Sequence, residues 1–419
     1  MENKKVLITN FEIRQFSGSE VNILSIAKCF EKIGYEVYIA TLNFDSPLFD
    51  EIKNESYNFI NITQNEFDFE NIKFDIIWSQ HSFLLDWLIF EKKLQADKVI
   101  ISTLSPFEPF ESVPDYSNDM NLILANSFET KEQLQKEGFN NIYLFENSAE
   151  KSFFNNTKSV KELKKIAIVS NHIPDEVMDA KKILEEKSYI VDIYGFAGKK
   201  VLINDKVLNE YDLVITIGKT VQYCMALKIP VYVYDRFGGP GYLNEENFDM
   251  NRKYNFSGRK FEKKSANELV NDIIQNFNCS LSNLDYIYNY ALENFCLEKN
   301  FANVINMVLN DEKVVDLNNV YIRYKNLRYR IIYSRLYNYS FYKGYENGIK
   351  DEQKRNKSEL DMYKSDNAIL KAELKKVEKQ NVEYVEQIRE LEEKLQQIYN
   401  SKTWKYTNFL RKPNSDETM

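Results

Sequence analysis

The chain has 419 residues, 43% hydrophobic and 14% aromatic, with a formal net charge of −8. That length allows two or three domains with cores of their own, the aromatic content excludes wholesale disorder, and the acidic balance speaks against nucleic-acid binding. Cys29, Cys224, Cys279 and Cys296 form neither a CxxC pair nor a disulfide ladder, which predicts a reducing, cytoplasmic setting; with so few histidines a His-rich metal site is excluded.

Residues 4–9 read as a short buried strand, and the polar loop Arg14–Glu20, containing Gly18, follows it. No secretory h-region precedes that strand, and no stretch reaches the roughly 18 uncharged apolar residues of a membrane span. Val21, Leu24, Ile26, Ala27 and Phe30 then recur at helical spacing up to Gly34, and Glu36–Thr41 is a β-branched strand. Strand, loop, helix and strand in this order predict a parallel sheet with right-handed crossovers. Further strands are expected at Asp75–Trp78, Lys98–Ser102, Leu122–Ala125 and Asn141–Phe145, with a helix over Thr130–Glu137 ending at Gly138. Residues 1–150 thus form a first domain, and the polar stretch 151–164 reads as a linker. A second alternating series fills 165–312. Its strands are Lys165–Ser170, Ile190–Tyr194, Asp212–Ile217 and Pro230–Tyr234, its helices Asp175–Glu186 and the stretch from Gly218 through Leu227. Two such doubly wound units imply a cleft between them, with ligands at the carboxyl ends of the strands.

Beyond residue 312 the character changes. Segment 313–350 is basic and tyrosine-rich: Val320–Tyr345 holds six Lys/Arg, eight Tyr and no acid. It suits either an anionic membrane face or packing back onto the domains. Over 351–400 a heptad runs through Leu360, Tyr363, Asn367, Leu370, Leu374, Val377, Asn381, Tyr384, Ile388, Leu391, Leu395 and Ile398. Asparagines at two a-type positions favour a parallel homodimer through residues 360–398. The tail 401–419 opens basic and aromatic.

Three loops carry candidate chemistry. Gly18 and Ser19 open a helix where backbone amides can approach an anion. Gly218-Lys219-Thr220 opens another, adding a cation and a hydroxyl; it reads equally as a capped surface helix. Gly238, Gly239 and Gly241, directly after a buried strand, are expected to form a ligand loop rather than a structural turn. His81 and His172 both stand at strand carboxyl ends, structural or functional.

FSGSE at Phe16–Glu20, FDIIWSQH at Phe74–His81, LANSFET at Leu124–Thr130, YLFEN at Tyr143–Asn147, IGKTVQYCMALKIPV at Ile217–Val231 and DRFGG at Asp235–Gly239 together resemble family 4-type glycosyltransferases of the GT-B fold. The resemblance covers roughly residues 4–310 and implies two Rossmann-like domains, the second gripping the donor. The SKTWKY…LR tail from Ser401 behind a coiled coil resembles tails of bacterial cell-surface polysaccharide glycosyltransferases. Together they imply retaining, metal-independent transfer of a sugar from a nucleotide-diphosphate donor to a glycan or lipid-linked acceptor. No cofactor is implied. Carried over by position, His81 would bond the transferred sugar and Gly18 and Ser19 would line the donor. Lys219 and Thr220 would neutralise the departing diphosphate, and Gly238 and Gly239 would admit it. Asn171 belongs to the same donor-binding set.

One departure stands out. The family's paired glutamates fall on Ile215 and Tyr223, neither of which can receive a ribose diol. Gln222, or Glu245 beside Glu246, would have to substitute. The rival readings are a non-catalytic scaffold organised by its coiled coil, and a sugar-nucleotide epimerase. On the enzyme reading the protein works in the cytoplasm, with peripheral contact to the inner membrane as a further expectation.

Overall fold

The computed structural model describes residues 4–64, 67–108 and 111–325, and eight isolated positions from Lys375 to Gln397 that are helical and exposed. Those eight lie off the predicted heptad seam; the seam residues themselves, the rest of the basic segment and the tail are outside the described residues. The chain divides into two units, Met1–Tyr339 and Ser340–Met419; all elements below belong to the first.

The first sheet has seven strands. In spatial order they are β5 (Asn58–Asn61), β3 (Glu36–Thr41), β1 (Lys5–Thr9), β6 (Lys73–Gln80), β7 (Gln95–Thr103), β8 (Leu122–Ala125) and β9 (Ile142–Leu144), all parallel. Runs such as Val6–Ile8 and Val99–Ile101 are apolar throughout because both faces are covered, as parallel sheets require. On one face Val6, Ile8 and Trp78 pack under α1 (Gly18–Lys32). On the other, Leu7, Ile77 and Ile101 pack under α3 (Phe83–Lys92). A two-stranded parallel pair, β2 (Glu12–Ile13) with β4 (Asn43–Phe44), lies between the main strands in sequence.

The second sheet runs β11 (Ile190–Tyr194), β10 (Lys165–Val169), β12 (Leu213–Thr216), β13 (Val231–Asp235) and β14 (Gly238–Tyr242). Its first four strands are parallel, β14 antiparallel. Helices α6 (Asp175–Glu186) and α10 (Ala266–Ser282) cover one face. The other is covered by α8 (Lys219–Leu227) and α11 (Leu284–Asn294). These are the two Rossmann-like lobes expected of the chain.

Three boundaries differ from the sequence reading. The supposed linker contains α5 (Lys151–Asn155), whose Phe153 and Phe154 are buried in the second-lobe core. The second domain does not run to 312, because α12 (Leu297–Asn310) sends Phe301, Val304, Ile305 and Val308 into the first-lobe core. The chain then continues into α13 (Leu317–Tyr324), where Leu317 and Val320 join the opposite face and Tyr324 lies against Tyr116 at 5.9 Å. The described start of the tyrosine-rich segment therefore packs back on the fold.

Among the described residues, no helix is long and apolar enough to cross a membrane.

Candidate functional site

Loops that follow the carboxyl ends of the two sheets touch one another: Arg252, Lys253 and Arg259 of the second lobe reach Glu146, Glu132 and Glu129 of the first. From the first lobe come the segments after β7, β8 and β9. From the second come the start of α8, the β13–β14 turn, α9 (Glu245–Lys253) and the loop that follows it.

In the first lobe, α1 begins at Gly18 with Ser17 as its N-cap. Gly18 is exposed, a side chain there would meet open space, and Ser19 is half-buried with its carbonyl taking the Gln80 amide at 2.9 Å. Two of the loop amides, those of Arg14 and Gln15, are filled from within the chain. Glu20 accepts from the backbone N–H of Arg14 and Gln15, and from the Ser17 hydroxyl at 2.9 Å. The chain's own carboxyl serves those amides, and burial pushes its pKa up.

His81 stands just past β6 with φ +53° and is 4% exposed. Its Nδ1 accepts the Phe11 N–H at 3.0 Å, which places the proton on Nε2, 3.2 Å from Glu111 Oε1. Glu111 Oε2 in turn takes the Leu104 N–H at 2.9 Å. Both ring nitrogens thus face the protein, fixing the loop before β8 against the β6 edge.

In the second lobe, Gly218 (φ +62°) caps α8 without any side-chain hydrogen bond, and a side chain there would meet open space. Thr220 is half-buried in the first turn. Lys219 is a correction: it is 9% exposed and turned onto α1, where its Nζ donates to Ser25 Oγ at 3.1 Å. Ser25 donates onward to Glu150 Oε1 at 2.5 Å. Burial pulls the Lys219 ammonium pKa down, and Glu150 opposes it. The packed side chains of the other lobe, rather than open space, surround this cation.

Gln222 is buried and folds back on its own helix: with its amide oriented to donate, Nε2 lies 2.7 Å from Gly218 O and 3.2 Å from Lys219 O. The glutamate positions are core. Ile215 is 4% exposed, and Tyr223, 3% exposed, stacks on Phe153 with centroids 4.1 Å apart.

The glycine segment is not an open loop. Gly238 and Gly239 lie in β14, and a Cβ on Gly239 would stand 2.0 Å from Val233 O. Gly238 has φ +92° and faces Glu262 O at 2.6 Å by the same measure. The loop after α9 crosses there: Gly258 (φ +76°) backs onto Gly238 O, and Phe256 O takes the Gly218 N–H at 3.0 Å. The glycines exist because two backbones cross where no side chain fits.

The remaining predicted residues are dispersed. Asn171 is half-buried in the turn after β10 and His172 beside it is exposed. Glu245 is exposed in the first turn of α9, where an acid complements the helix dipole. Asp235 at the end of β13 is buried, accepting from Ser170 Oγ at 2.9 Å and Arg236 N at 2.7 Å, and burial pushes its carboxyl up.

The residues that join the lobes escaped the sequence reading. Arg252 grips Glu146 with both arms of its guanidinium, Nε to Oε1 at 2.8 Å and Nη2 to Oε2 at 2.6 Å. Lys253 pairs with Glu132 at 2.9 Å. Arg259 pairs through Nη2 with Glu129, and its guanidinium lies 5.4 Å from the Phe107 ring and 5.9 Å from the Phe237 ring. The one sequence signal for Arg259 is its place directly after Gly258.

No protein-family model matches the chain, and no curated protein matches it. Among solved structures, it is similar to a glycosyltransferase from Rickettsia africae at 14% identity and TM-score 0.49, over 74% of this chain and 100% of that one. It is similar to a putative UDP-N-acetylglucosamine 2-epimerase from Listeria monocytogenes at 11% identity and TM-score 0.44, over 73% and 95%. It is also similar to WaaG, a glycosyltransferase involved in lipopolysaccharide biosynthesis, at 9% identity and TM-score 0.46, over 73% and 100%. These are likenesses of shape and assign no reaction.

Proposed function

We propose that the chain is a GT-B glycosyltransferase that moves a sugar from a nucleotide-diphosphate donor to a glycan or lipid-linked acceptor in bacterial surface-polysaccharide synthesis. The observation that supports this is the contact between loops at the carboxyl ends of the two sheets, beside which α8 offers an N-terminus free of any side-chain cap. Such an N-terminus presents backbone donors to a diphosphate. In the reaction the bond from the anomeric carbon to the phosphate oxygen breaks and its electron pair leaves with the diphosphate. The acceptor hydroxyl forms the new bond on the same face, and its proton passes to the departing oxygen. The α8 amides and Thr220 stabilise the charge that develops, without a metal ion. Gly18 and Ser19 line the opposite wall. His81, engaged by Phe11 and Glu111, positions the loop before β8 instead of touching the sugar.

Ile215 and Tyr223 favour a second reading, a GT-B scaffold without turnover, because both are built into the core. A panel of UDP-, GDP-, ADP- and dTDP-sugars separates the two. The transferase reading expects one nucleotide to raise the melting temperature, and its sugar form to release nucleoside diphosphate with EDTA present. No shift across the panel contradicts it. The homodimer through residues 360–398 belongs to the same proposal; a monomer by light scattering would remove it.

A further inference from the structure

We propose that Arg259 is the side chain that grips the donor's diphosphate, and that Glu129 holds its place while the cleft is empty. The inference rests on the transferase reading above and names the cation of that site.

The two arginines of the α9 region behave differently. Arg252 spends Nε and Nη2 together on one carboxylate, a complete fork. Arg259 meets Glu129 through Nη2 alone, and its buried Nε has no hydrogen-bond partner among the described residues. A guanidinium half engaged in this way is short of one acceptor, which a phosphate supplies by taking both donors at once. Its placement fits. Phe256, three residues earlier, bonds through its carbonyl to the Gly218 N–H at 3.0 Å, so the segment that carries Arg259 starts from the α8 N-terminus. Phe107 and Phe237, 65% and 40% exposed, flank the guanidinium from the two lobes.

Glu129 is suited to letting go. It lies in the first turn of α4 (Phe128–Lys136), where the helix N-terminus continues to stabilise a carboxylate that has lost its partner. A diphosphate brings more charge and more oxygens than the carboxylate it displaces. Exchange of Glu129 for the donor therefore couples ligand entry to release of a bridge between the lobes.

The experiment measures UDP, GDP and ADP, with their monophosphates, binding by calorimetry to the full-length protein and to Arg259→Ala, Arg259→Lys and Glu129→Gln. Arg259→Ala should weaken the bound diphosphate about tenfold to hundredfold and the monophosphate less, with Arg259→Lys between. Glu129→Gln should bind the diphosphate roughly threefold to tenfold more tightly, because the competing charge is gone. If wild type binds a diphosphate and both Arg259→Ala and Glu129→Gln bind it equally well, the inference is overturned and the transferase reading stands. If neither wild type nor Glu129→Gln binds any of the nucleotides, the transferase reading itself fails. Should Arg259→Ala not fold, the Glu129→Gln affinity decides alone.

Discussion

Arg252 and Arg259 leave the same lobe and both reach glutamates of the other, yet they sit in unlike surroundings. Around Arg252 the contact is closed: both nitrogens are used, Glu146 is 10% exposed, and the guanidinium also lies 4.9 Å from Phe128 and 5.4 Å from Tyr290. Around Arg259 one nitrogen is idle and the flanking aromatics face solvent. The first is how a protein spends an ion pair on holding two lobes together; the second is how it keeps a cation in reserve. Lys219 belongs with the first kind, since its ammonium is enclosed by Ser25, Glu150 and Tyr223.

That contrast breaks most visibly at Arg252. Arg252→Ala strands a buried carboxylate and should cost about 3 to 5 kcal/mol, read as a lower denaturant midpoint at unchanged slope. A loss below about 1 kcal/mol would mean the closed contact is no closer to structural than the open one.

Lys219→Met comes next. It removes a buried charge-assisted hydrogen bond and should destabilise by about 1 to 3 kcal/mol, while the affinity for a bound nucleoside diphosphate stays within about twofold. A large loss of affinity at unchanged stability would return Lys219 to the donor site.

Glu20 sharpens the comparison from the acidic side. Its pKa is raised by burial, so the folded state holds the proton to higher pH than the unfolded chain, whose group titrates at about 4.5. Its stabilising contribution is complete below that value and declines as pH rises through the folded pKa. Glu20→Gln should therefore cost more stability at pH 4 than at pH 7. Thermal unfolding at both pH values checks this, and a penalty growing with pH would contradict it.

The smallest effect is expected at Phe107. At 65% exposure its loss should change stability by less than about 0.5 kcal/mol, because little apolar area leaves the core. A melt of Phe107→Ala that drops by many degrees would show that the mouth is as tightly built as the seam.

Much of the architecture was legible in the sequence. Val6–Ile8, Ile76–Trp78, Leu122–Ala125 and Val231–Tyr234 are unbroken apolar runs, and a strand buried on both faces needs that composition. The loop that proved to be β14 was not legible, because a glycine selected for positive φ and one selected for a backbone crossing look the same in one dimension. Lys219 misled for a similar reason. Its position at a helix start was read correctly, but the direction of its side chain depends on Ser25 and Glu150, far away in sequence. Arg259 stayed hidden because its meaning comes from Phe107, Glu129 and Phe237, which only the folded chain assembles.

The most direct test is amide hydrogen exchange of the full-length protein, with and without a saturating nucleoside diphosphate that raises its melting temperature. The account predicts slower exchange at residues 218–221 and 257–260, together with faster exchange at the start of α4 as Glu129 is released. Protection confined to the far side of α1, with 218–221 and 257–260 unchanged, would contradict it.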